Sequence, residues 1–204
     1  GMSPPTVADP QVRRALAAVT TRDRLAVGTG VRVVDSPFTE PPWDVPGSPP
    51  TPDADAGRSL VSAGVLQTAA PLQLTANRVD RALAETLAKQ WTRAGIPVAE
   101  LQLVDGPIEA TTTTGAFQLA VTRVPTGVDP DLVEPLLTSI PAAAAERGAP
   151  APVLNITRFV RSDADEPLRR ARSGGTDEAR REEYATAVTA LNAQLGYVWL
   201  FAEE

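Results

Sequence analysis

Apolar residues recur every three or four positions in several stretches of the chain, and this spacing predicts amphipathic helices. The clearest case lies between Asn77 and Gly95. Its apolar positions, four residues apart, are Val79, Leu83, Leu87 and Trp91. Asn77 is a favourable N-cap residue and Asp80 is a favourable acid for a first helical turn, so we expect a helix of about 17 residues.

Alternation of apolar and polar residues predicts strands on both sides of this helix. Residues 71–75 place Leu72 and Leu74 on one face, and residues 98–104 alternate in the same way. Strand, helix and strand in this order form a βαβ unit, whose two strands pair in parallel. Residues 116–122 predict a further strand. The fold class is therefore α/β, with a mixed, mostly parallel sheet flanked by helices.

Capping residues and prolines mark the other predicted helices. These cover residues 10–19, a short helix from Asp23, 53–64, a helix that starts at Asp129-Pro130, part of the Ala-rich stretch 141–149, 163–173 and 177–195. The last helix is expected to begin after Thr176 and to end at Gly196; its buried stripe is Tyr184, Val188, Leu191 and Leu195. Residues 155–159 predict a short extended or turn segment. The apolar run 197–201 predicts a strand covered on both faces.

Seven prolines fall within residues 36–52, with Phe38 and Trp43 among them. Such a segment is either a polyproline ligand for another domain or an extended connector held to the surface by its two aromatic side chains. We favour the connector. For all three tryptophans, Trp43, Trp91 and Trp199, we expect a packing role.

Composition removes most catalytic chemistry. The 204 residues are 43% apolar and carry a formal net charge of −6, with neither cysteine nor histidine. Thiol nucleophiles, imidazole bases, disulfides and nearly all zinc or copper sites are thereby excluded. The intermixed acidic and basic residues argue against a nucleic-acid partner. We expect no enzyme, no cofactor and no metal site.

Two further features concern the origin of the chain. Gly1-Met2 has the form of a scar left by tag cleavage, so the fold prediction covers residues 3–204. Lys89 is the only lysine, in a chain rich in alanine and proline, which indicates a GC-rich bacterial source. No run is long and apolar enough to predict a membrane span.

The predicted ligand site lies where the parallel strands end, because ligands of open α/β sheets bind beyond the carboxyl ends of the strands. Arg123, Thr126 and Asp129 follow one predicted strand, and Asp105 follows another. We expect a small ligand to meet these residues.

The order of the segments resembles that of the family 5 extracellular solute-binding proteins, the dipeptide, oligopeptide and nickel-binding class served by ABC importers. The motifs that carry the resemblance lie at 9–16, 53–64, 72–105, 115–120 and 129–130, with the asparagine, aspartate and arginine positions between 155 and 201. The resemblance covers nearly the whole chain. It adds Asn155 and Arg158 to the predicted ligand-binding residues.

The resemblance implies a noncatalytic lobe with the fold of a periplasmic binding protein. Full-length members have two lobes that close over the ligand, so this chain is expected to be the second lobe, domain III, of a longer protein. Its expected partners are the amino-terminal lobe, a small polar or peptide-like ligand and an ABC permease. The expected location is the extracellular face of the cell membrane, either lipid-anchored or secreted.

Two departures from the family pattern bear on function. The "DR" after the first helix is Thr21-Arg22 here, and residues 123–128 lack the Trp and Asp with which peptide-binding members hold a peptide amino group. Arg123 instead favours an anionic or hydroxyl-rich ligand. The alternative is a regulatory or scaffolding cell-envelope lipoprotein, similar to the actinobacterial LpqW type, with the same fold and a repurposed cleft.

Overall fold

The computed structural model describes most of the chain. The described residues are 7–27, 30–48, 51–63, 71–99, 101–106, 108, 117–124, 129–139, 157 and 163–203. The chain divides into two compact units. Gly1–Val27 and Pro50–Arg123 form the first, and Gly28–Pro49 and Val124–Glu204 form the second. No helix in the described ranges has the length and apolar character needed to cross a membrane.

The first unit contains four helices among its described residues: α1 (Pro10–Val19), α2 (Arg22–Ala26), α3 (Ala56–Ser62) and α4 (Arg81–Arg93). Helix α1 begins as predicted, because the carboxylate of Asp9 accepts a hydrogen bond from the backbone N–H of Gln11 at 2.7 Å. Its predicted apolar face is buried against α3 and α4.

The first unit also contains the predicted βαβ unit. Strand β2 (Leu74–Asn77) pairs in parallel with β3 (Gln102–Val104) on one side and with β4 (Leu119–Val121) on the other. All three strands are shorter than the alternation predicts; an isolated parallel bridge between Leu72 and Val98 continues the β2–β3 pairing toward the amino ends. The α/β class and the parallel sheet flanked by helices are confirmed.

Helix α4 departs from the predicted stripe at its first member. Leu87 and Trp91 are buried and Leu83 is half-buried, but the side chain of Val79 is 79% exposed. The reason is local: Arg78–Asp80 form a 3₁₀ turn, whose tighter winding turns Val79 away from the face that α4 buries. Gly95 ends the segment as predicted, with φ at +90°.

The second unit contains α5 (Glu134–Leu137), α6 (Asp165–Arg172), α7 (Asp177–Gln194) and a 3₁₀ turn at Pro130–Leu132. Helix α7 begins as predicted, with the Thr176 hydroxyl accepting from the Ala179 N–H at 3.2 Å, and all four residues of its predicted stripe are buried. Its end differs, because Leu195 rather than Gly196 takes the left-handed conformation, with φ at 53°.

The proline-rich segment packs into the core of the second unit. Phe38 is 3% exposed and Trp43 is 8% exposed, and both rings contact the ring of Tyr184, at centroid distances of 4.9 and 5.8 Å. The packing role predicted for Trp43 is confirmed. Trp91 is likewise buried, and its indole N–H donates to the Thr20 hydroxyl at 3.0 Å.

The carboxy-terminal strand was misplaced by the sequence pattern. Strand β5 covers Phe201–Glu203 and pairs antiparallel with β1 (Val31–Val33), a strand that the sequence did not predict. Residues 197–200 are irregular; the rings of Tyr197 and Trp199 stack on each other, and the Tyr197 hydroxyl donates to the Leu136 carbonyl at 2.8 Å. The expected coverage of both faces is wrong, since Val198 is 38% exposed and the strand residues are not fully buried.

The raised pKa values of two tyrosines in this unit lead us to expect a loss of stability at alkaline pH. Burial raises the pKa of Tyr184 to about 12, and its hydrogen bond to Asp131 acts in the same direction; burial also raises the pKa of Tyr197. An unfolded tyrosine ionises near pH 10, so this stabilisation is complete below about pH 10 and is lost as the pH rises toward about 12. In urea titrations across that window we expect the free energy of unfolding to fall, and to fall less steeply in Tyr184→Phe. Equal slopes in the two proteins would contradict this account.

Candidate functional site

The three parallel strands of the first unit end at one edge of the sheet, and polar residues follow each strand. Asn77 ends β2, Asp105 follows β3, and Arg123 lies two residues beyond β4. The strand-end position predicted for a ligand site therefore brings together residues from three separate parts of the sequence.

Beyond β2 and β3, two side chains join the neighbouring strand ends. Asn77 caps the following turn by accepting from the Val79 N–H at 3.0 Å, while its amide nitrogen donates to the Gly106 carbonyl. Arg78 donates to both carboxylate oxygens of Asp105, from Nε at 2.7 Å and from Nη2 at 3.2 Å. The hydrogen bond with Arg78 holds the pKa of Asp105 below its usual value, so this carboxylate stays charged at neutral pH.

Arg123 is held by an acid that sequence reasoning did not assign to the site. Its Nη2 and Nε lie 3.0 and 3.3 Å from the same carboxylate oxygen of Asp80. The side chain of Asp80 is only 9% exposed, whereas that of Arg123 is 69% exposed. The buried carboxylate of Asp80 therefore anchors the guanidinium of Arg123, which extends toward solvent.

These five residues, Asn77, Arg78, Asp80, Asp105 and Arg123, are named the edge cluster below. The sequence indicates Asp80 only as a favourable first-turn acid of the predicted helix. Asp80 lies three residues beyond the end of β2, and β2 pairs in parallel with β4, the strand before Arg123. The strand-end rule therefore also applies to Asp80.

Asp129 belongs to the second unit and has a structural role there. Its carboxylate accepts from the backbone N–H of Asp131 at 3.0 Å and so caps the 3₁₀ turn at Pro130–Leu132. Arg180 lies 4.0 Å away from it. The side chain of Asp129 is 59% exposed, and its ligand-binding role stays a prediction.

Arg180 is the centre of a second polar network, within the second unit. Its guanidinium lies over the ring of Trp43, 4.6 Å from the centroid, and donates to the Ala171 carbonyl at 2.9 Å. Arg180 also contacts Asp131 at 3.5 Å, and the hydroxyl of Tyr184 donates to the same carboxylate at 2.6 Å. This network holds the proline-rich connector against α7, which is a packing role.

The remaining predicted ligand residues, Thr126, Asn155 and Arg158, lie outside the described residues and stay predictions. In the described ranges, no group of three or more acidic side chains is arranged to hold a metal ion.

No protein-family model matches the sequence, and no curated protein matches it. Solved structures do match. NikZ from Campylobacter jejuni, in complex with Ni(L-His), is 17% identical with a TM-score of 0.76, over 95% of this chain and 42% of NikZ. The murein tripeptide binding protein MppA from Escherichia coli is 24% identical with a TM-score of 0.75, over 96% of this chain and 40% of MppA.

A third match is DppA from Helicobacter pylori, an ABC transporter-associated periplasmic binding protein solved with the peptide STSA. It is 19% identical with a TM-score of 0.73, over 95% of this chain and 38% of DppA. These structural neighbours are family 5 solute-binding proteins, and this chain spans about two fifths of their length. At these identities the likeness establishes the fold, which is that of a periplasmic binding protein.

Proposed function

We propose that this chain is the second lobe, domain III, of a noncatalytic solute-binding protein and that its edge cluster contributes half of the ligand contacts. The observation that carries the proposal is the pair of exposed guanidinium groups, each fixed by a carboxylate, at the carboxyl edge of the parallel sheet. In a fold of this type that edge is where ligands bind.

The neighbours' fold and length support the proposed setting. An amino-terminal lobe would supply the other half of the cleft, and an ABC permease would receive the solute. The protein would act at the extracellular face of the cell membrane, secreted or lipid-anchored. Ligand binding by Thr126, Asp129, Asn155 and Arg158 stays part of the proposal.

The edge cluster does not favour ordinary peptide transport. A peptide's ammonium group needs a carboxylate that is buried and not already paired, because otherwise its desolvation is uncompensated. Asp80 is buried but already accepts two hydrogen bonds from Arg123, and the side chain of Asp105 is 78% exposed.

The alternative of a regulatory or scaffolding lipoprotein gains no support from the proline-rich segment. A polyproline ligand would present its aromatic side chains to a partner, whereas Phe38 and Trp43 are buried in the core of the second unit. Solute binding therefore remains the proposal.

Thermal unfolding in the presence of candidate solutes tests the proposal. A solute that binds only the folded chain raises its stability by about 2.7 kcal/mol at 100 times its dissociation constant. From a panel of tripeptides, neutral disaccharides and dicarboxylates, we expect at least one compound to raise the melting temperature, and Arg123→Gln to reduce that shift. Arg93→Gln is the matched control, because Arg93 is also exposed but lies in the last turn of α4. The proposal would be contradicted if no compound raised the melting temperature, or if Arg123→Gln and Arg93→Gln reduced the rise equally.

A further inference from the structure

The described residues of the edge cluster carry no net charge. Arg78 is paired with Asp105, and Arg123 is paired with Asp80, at nitrogen-to-oxygen distances of 2.7 and 3.0 Å. The sequence alone presents Arg123 as an unopposed cation and so favours an anionic or hydroxyl-rich ligand. The structure removes the reason for the anionic choice, because each guanidinium already has a carboxylate beside it.

Two effects would weaken the binding of an anionic ligand at this edge. It would have to approach within a few ångströms of Asp80 and Asp105, whose charges repel it, or displace them from their arginines. Displacing Asp80 would leave a carboxylate that is 9% exposed without its cation, and a buried unpaired charge is strongly destabilising.

Neither effect weakens the binding of an uncharged hydroxyl-rich ligand. A hydroxyl donates one hydrogen bond and accepts others, and a guanidinium beside a carboxylate offers a donor and an acceptor side by side. Asp105 retains acceptor capacity, since each of its oxygens accepts only one hydrogen bond from Arg78 and its side chain is 78% exposed. Arg78 and Arg123 are exposed enough to donate toward solvent.

Hydrogen bonds within the cluster also restrict these side chains, which lowers the entropic cost of binding. Arg78 is held at two atoms by Asp105, and Arg123 is held by Asp80 at the start of α4. Asn77 joins the turn after β2 to Gly106 after β3. Neighbouring hydroxyls on a sugar ring match donors and acceptors that lie side by side.

We propose that the edge cluster binds an uncharged polyhydroxyl solute, a carbohydrate or a polyol, in preference to an anion or a peptide. The proposal rests on the proposed solute-binding function and names its ligand class. Asp80 is then a positioning residue, which fixes Arg123 and excludes anions.

Nuclear magnetic resonance titration of the isotope-labelled 204-residue chain tests the ligand class, since it detects the weak binding expected of one lobe. The probes are maltose, trehalose and sorbitol as uncharged polyhydroxyl compounds, succinate as the anion and trialanine as the peptide. The reporters are the Nε–H signals of Arg78 and Arg123 and the side-chain amide of Asn77. We expect saturable shifts of these signals with at least one polyhydroxyl probe, at an affinity at least about tenfold above succinate and trialanine, a gap of roughly 1.4 kcal/mol.

Ionic strength and two variants sharpen the test. Binding of an uncharged probe should change less than about twofold between low and high salt, whereas screening would weaken binding of an anion. Arg123→Gln should weaken the binding about tenfold, and Arg93→Gln should leave it unchanged. Arg78→Gln should weaken it similarly and keeps the test decisive if Arg123→Gln misfolds, because Arg78 and Asp105 are both exposed.

The outcomes separate this inference from the function on which it rests. Preferential saturation by succinate or trialanine at the edge cluster would overturn the ligand class and leave solute binding in place. If the Asp80→Asn variant binds succinate more tightly than the unchanged chain does, that result supports the role of Asp80 in excluding anions. Absence of any saturable shift at the edge cluster, with all five probes, would contradict both proposals.

Discussion

Replacing Gly57 with alanine is expected to destabilise the chain by about 3 kcal/mol, at the upper end of what overpacking costs. A Cβ atom at Gly57 would overlap the backbone carbonyl of Ala94 and come within 2.8 Å of a side-chain carbon of Ile96. The opposing carbonyl belongs to Ala94, the C-cap of α4, so it cannot move away without shifting that helix. Urea unfolding followed by circular dichroism measures the change.

The sign of this effect is informative, because Gly57 lies within α3. In an exposed helix, glycine to alanine stabilises by about 1 kcal/mol. Ser59→Ala is the matched control, since Ser59 is exposed on the same helix, and we expect it to change the stability by less than about 0.5 kcal/mol. Stabilisation by Gly57→Ala would show that α3 does not approach the end of α4 so closely.

Trp43→Ala is expected to cost about 3–5 kcal/mol, the range for deleting a large buried aromatic side chain. The substitution removes the edge contact with the Tyr184 ring and the surface on which the guanidinium of Arg180 lies. Arg180, whose side chain is 19% exposed, would lose that cover while keeping its charge. The free energy of unfolding from urea titration is again the measurement.

Asp44→Ala is the control for Trp43→Ala, because Asp44 is the next residue and is exposed. We expect its stability to stay within about 0.5 kcal/mol of the unchanged chain. If Trp43→Ala were equally mild, the aromatic residues of the proline-rich connector would not hold it to the core, and its interpretation as a polyproline ligand would regain support.

The features predicted best from the sequence are those decided by neighbouring residues. Asp9, Asn77 and Thr176 cap their segments as expected, since a cap needs only its own side chain and the next backbone N–H groups. The misplacement of Val79 is also local. The predicted spacing of four residues starts at Val79, but Arg78–Asp80 form a 3₁₀ turn, in which the spacing of an α-helix does not apply.

Features that depend on distant parts of the chain were missed. Strand β1 is three residues long and is fixed by pairing with β5, about 170 positions later, which no local pattern encodes. The Asp80–Arg123 pair is of the same kind, because the two residues are 43 positions apart. The strand-end rule nevertheless placed Asp105 and Arg123 at one edge of the sheet, since parallel strands have their carboxyl ends together.

The central claim, solute binding at the edge cluster, is tested most directly by a fluorescent reporter placed beside it. The chain has no cysteine, so Val79→Cys gives a single labelling site between Arg78 and Asp80, and Val27→Cys gives a matched control with the same exposure of 79%. Each protein would carry the same environment-sensitive dye and be titrated with maltose, trehalose, sorbitol, succinate and trialanine. The account predicts a saturable change in emission at position 79, and none at position 27, with at least one probe. A response at position 27 alone, or at neither position with every probe, would contradict it.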